Sequence, residues 1–163
     1  DLVPRKFEKW LGGRGDGDPA PDTKHSEIKL NECDRKHFLP KKNPVLRIGA
    51  IQPISQDYNS FEESSIYQKM KRMFITTYSG NYSKIEGSFV FEVDDPQWFL
   101  RVKEDYEFYL TQLKRRLTTG ERSSKSSIVP SALRAPNNTL RVRSNAVMLT
   151  KEFFQEISQH YDP

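Results

Sequence analysis

The chain has 163 residues, is 35% hydrophobic and 29% charged, and carries a formal net charge of +4. That length suits one domain that buries most of its apolar surface unaided, and a single cysteine, Cys33, excludes an intrachain disulfide framework. No apolar run approaches the ~20 residues of a membrane-spanning helix and no basic-then-apolar leader opens the chain, so the composition reads as intracellular.

Residues 1–43 read as a flexible N-terminal segment. Leu11 to Lys24 is built from Gly, Pro and Asp with almost nothing to bury. Ahead of it, residues 5–11 have the pattern of one helical turn carrying Phe7, Trp10 and Leu11, a piece too short to be stable unless it docks on something. Residues 44–163 read as a single α+β domain. Val45 to Ile51 is short, β-branched and flanked by prolines, which predicts a strand. Asn59 to Tyr78 predicts a helix: Ser60 and Glu63 have capping-box spacing, and Ile66, Tyr67, Met70, Met73, Phe74 and Tyr78 recur at steps of three and four.

Ile85 to Val93 alternates, with Ile85, Gly87, Phe89, Phe91 and Val93 on one face and Glu86, Ser88 and Glu92 on the other. Asp94-Asp95-Pro96 ends that strand and starts a helix to about Leu117, with Asp95 as N-cap. Its stripe of Trp98, Phe99, Val102, Tyr106, Tyr109, Leu110, Leu113 and Leu117 is the longest periodic run in the chain. Residues 118–138 read as a basic loop. Thr139 to Leu149 alternates on both sides of Ser144-Asn145, predicting a hairpin, and Thr150 is placed to cap a last helix to Tyr161. The expected fold is a small, mostly antiparallel sheet with two long amphipathic helices and a C-terminal helix packed on one face; a small parallel α/β unit is the rival topology.

Catalytic chemistry finds little to work with. There is no Walker loop, dinucleotide fingerprint or nucleophile elbow, so no cofactor and no small-molecule substrate is expected. His25, Cys33 and His37 supply three ligands where a structural zinc needs four, and no metal site is expected. Asp94 and Asp95 precede a helix-starting proline, the position of capping residues rather than of an acid/base pair. Arg14-Gly15-Asp16 is an adhesion-like tripeptide too short to carry weight.

Charge distribution carries more. The thirty residues from Lys114 to Arg143 hold Lys114, Arg115, Arg116, Arg122, Lys125, Arg134, Arg141 and Arg143 against one acid, Glu121. That stretch is +7 in a chain of +4, leaving −3 on the remainder. Three of the eight end a helix, where the dipole favours cations whatever the function. The others, in the loop and alternating outward on the hairpin, have no such reason. Clustered like charge opposes folding unless an opposite charge offsets it, so these eight residues predict a face for an acidic protein or a nucleic-acid backbone. Ser123, Ser124, Ser126 and Ser127 lie among these cations, and phosphorylation there reverses the local charge. Phe108, on the polar side of the long helix, joins Phe7 and Trp10 as an apolar anchor for a protein partner. The reading is a non-enzymatic interaction module of a nuclear or cytosolic multiprotein assembly; a sequence-independent nucleic-acid binder and an enzyme of unrecognised type are the alternatives.

Overall fold

The stripe that begins at Trp98 continues along the longest helix among the described residues, Phe99–Thr119. The computed structural model describes residues 6–7, 9–11, 21, 26–32, 46–51, 60–79, 84–119, 132–143 and 145–161. In chain order these form β1 (Glu27–Glu32), β2 (Arg47–Ala50), a 3-10 turn (Phe61–Glu63), α1 (Ser65–Met70), β3 (Met73–Ser79), β4 (Lys84–Phe91), α2 (Phe99–Thr119), β5 (Leu140–Arg143), β6 (Ala146–Leu149) and α3 (Lys151–Tyr161). The class is α+β, and pairing is mostly antiparallel as expected, but the strands form two sheets of three. One runs β1-β3-β4, with β1 parallel to β3 and β4 antiparallel to it. The other runs β2-β6-β5 and is antiparallel throughout.

Three local expectations change. Asn59 to Tyr78 is not one helix, so only one long helix exists among the described residues. Ser64 caps α1, its hydroxyl accepting from the Tyr67 N–H at 3.0 Å, and Ser60 makes no such bond. From Met73 the chain is strand. β3 is the central strand of its sheet and is buried on both faces at Met73, Ile75, Thr76, Thr77 and Ser79, so it lacks the alternation that marks a half-exposed strand. Second, β1 lies inside the stretch read as flexible. Glu27 and Asn31 are buried there beside Ile28, and such polar content hides a strand from a hydrophobicity pattern.

Third, the face of β4 changes partway. Its register shifts between Thr77, opposite Gly87, and Tyr78, opposite Ile85, and this bulge turns Ile85 outward to 61% exposure. Glu86 instead turns in and accepts from the Ser79 hydroxyl. Beyond the bulge, Phe89, Phe91 and Val93 are buried as the alternation requires.

Both sheets and α1, α2 and α3 contribute to one core. Trp98, Val102, Tyr106, Tyr109, Leu110 and Leu113 of the predicted stripe are buried in it with Phe91, Leu140, Val147, Phe153 and Phe154. Lys69 on α1 ties the sheets together, donating to the Ile48 carbonyl of β2 at 3.2 Å and lying 3.7 Å from the buried Glu27 carboxylate of β1. Gly49 permits the close approach of α1 to β2, since a Cβ there would sit 3.1 Å from Ile66 Cδ1. Among the described residues no helix is long and apolar enough to cross a membrane.

Candidate anion-binding site

Residues Arg101, Asp105 and Tyr109 stand four apart on α2, so they line one face of the helix. All three hold the segment that leads into β5. The Arg101 carbonyl accepts from the Asn137 side-chain amide at 3.2 Å. Asp105 is fully buried, and its carboxylate accepts from the Asn137 N–H at 2.8 Å, the Thr139 N–H at 2.7 Å and the Thr139 hydroxyl at 2.6 Å. These three bonds satisfy a charge that burial alone would make costly. The Tyr109 hydroxyl accepts from the Ala135 N–H at 3.3 Å and donates to the Leu140 carbonyl at 3.2 Å.

Asn138 adopts the left-handed conformation, with φ of 53°. Thr150 holds it from the other side. Its hydroxyl donates to the Asn138 carbonyl at 2.6 Å and caps α3 by accepting from the Phe153 N–H at 3.1 Å. The turn is thus clamped between α2 and the start of α3, and Glu152 stands in the first turn of α3.

An open cleft of about 380 Å³ forms around this clamp, lined by Arg134, Ala135, Asn138, Arg141 and Glu152. Arg134 is exposed and Arg141 half-buried. The Arg141 guanidinium is pushed below the ordinary arginine range, first by burial and then by the positive charges of Arg134 and Arg143; Glu152 acts in the opposite direction. Burial pushes the Tyr109 hydroxyl up, while Arg141 and Arg134 pull it down, which places both cations within electrostatic reach of the clamp. The fold therefore brings Arg134 and Arg141 to one cleft with the Glu152 carboxylate, and Arg143 is near enough to act on the charge of Arg141.

The other predicted residues fall in three groups. Lys114 and Arg115 are exposed and Arg116 half-buried near the end of α2, with Arg115 about 9 Å beyond Tyr109 along the helix axis. Arg122, Lys125, Ser123, Ser124, Ser126 and Ser127 lie outside the described residues, as do His25, Cys33 and His37. Of the apolar anchors, Phe7 and Trp10 share a helical turn closed by the Leu11 N–H on the Phe7 carbonyl at 3.1 Å, and Trp10 is 79% exposed. Phe108 is half-buried against the core, its ring 5.4 Å from that of Tyr109.

Two acids weighed for catalysis have structural roles. Asp95 accepts from the Gln97 N–H at 3.0 Å in the turn ahead of α2, which begins at Phe99 and not at Pro96 as expected, and Asp94 accepts from the Tyr67 hydroxyl at 2.8 Å. Among the described residues no group of three or more His, Cys, Asp and Glu side chains is placed to hold a metal ion. Glu152, Asn138, Asp105 and Tyr109 were not singled out from the sequence as site residues. Asp105 did leave a signal, being a charged residue one helical step from Tyr106 and one turn from Tyr109 on an apolar stripe. No protein-family model matches the chain, and comparison with curated proteins finds no match.

Proposed function

We propose that the chain is a non-enzymatic interaction module of a nuclear or cytosolic assembly, holding a basic face toward an anionic partner. The face is built on Arg134, Arg141 and Arg143 and extends to Lys114, Arg115 and Arg116. The observation that supports this reading is the convergence of Arg134 and Arg141 on one open cleft with Arg143 beside them. Like charges held close together repel each other, and an anionic partner lowers that repulsion. Guanidinium is also the side chain best matched to carboxylate and phosphate, through paired N–H donors in a fixed plane.

The test is binding of polyglutamate and of a random-sequence DNA duplex, each measured from low to high salt, for the natural chain and for Arg141→Glu/Arg143→Glu. The expected result is a loss of more than about tenfold in the double variant, because two attractive charges become repulsive. DNA binding that falls with a log–log salt slope near −0.9 per neutralised phosphate assigns the face to a nucleic-acid backbone. Undiminished binding of both polymers by the double variant would remove the basic face from the account.

A further inference from the structure

We draw no further inference here: the strongest candidate, the apolar outer face of the β1-β3-β4 sheet on which Ile28, Phe74 and Val90 stand in register, carries nothing, because nothing among the described residues shows what covers it.

Discussion

Asn138 is the residue on which the geometry of the cleft turns. Its φ of 53° lies where a side chain with a branched β-carbon meets its own backbone, and where Gly and Asn are tolerated. Asn138→Gly should leave stability within a few tenths of a kcal/mol, whereas Asn138→Val should cost about 1–3 kcal/mol in urea unfolding. A valine variant as stable as the natural chain would show that the turn is not held in this conformation. The dipeptide Asn137-Asn138 ahead of a strand is a turn signal readable from sequence. The use of that turn was not readable, because the groups that clamp it come from Asp105, 32 and 34 residues away from its bonding partners, and from Thr150. Phe108 illustrates the opposite difficulty. Helical spacing put it among polar neighbours, yet it is half-buried against the core, its ring 5.4 Å from that of Tyr109.

At the scale of elements, legibility followed burial. α2, the β5–β6 pair and α3 each have one face in the core and one outside, so their periods showed in the sequence, and Thr150 caps α3 where expected. β3 is buried on both faces and its residues fit a helical stripe as well as a strand, so only its partners decide. α1 is joined to the turn before α2 by the Tyr67 hydroxyl, which donates to Asp94. Burial, and then the Asp94 carboxylate, push this phenol up to about 12 from an ordinary 10.0. The folded chain thus favours neutral Tyr67, a contribution present in full below pH 10 and lost as pH rises through about 12. The difference in phenolate absorbance between the natural chain and Tyr67→Phe should titrate near 12; a difference that titrates near 10 would place Tyr67 in open solvent without Asp94.

For the whole molecule, the separation of charge is the property on which the proposed function rests. A stretch of +7 is set against −3 elsewhere, and of its described residues Arg134 and Arg141 line one cleft, with Arg143 close enough to act on the charge of Arg141. The composition could not reveal Glu152, which lies outside the basic stretch and enters the cleft only because α3 begins against the turn that precedes β5. An anion that binds the folded chain and not the unfolded one raises its melting temperature, by roughly 2–4 °C per kcal/mol at a length near this one. The most direct measurement is therefore thermal unfolding with and without millimolar tripolyphosphate, for the natural chain and for Arg141→Gln/Arg143→Gln. A rise of several degrees in the natural chain that is mostly lost in the double variant is the predicted result; an equal rise in both, or none in either, would contradict it.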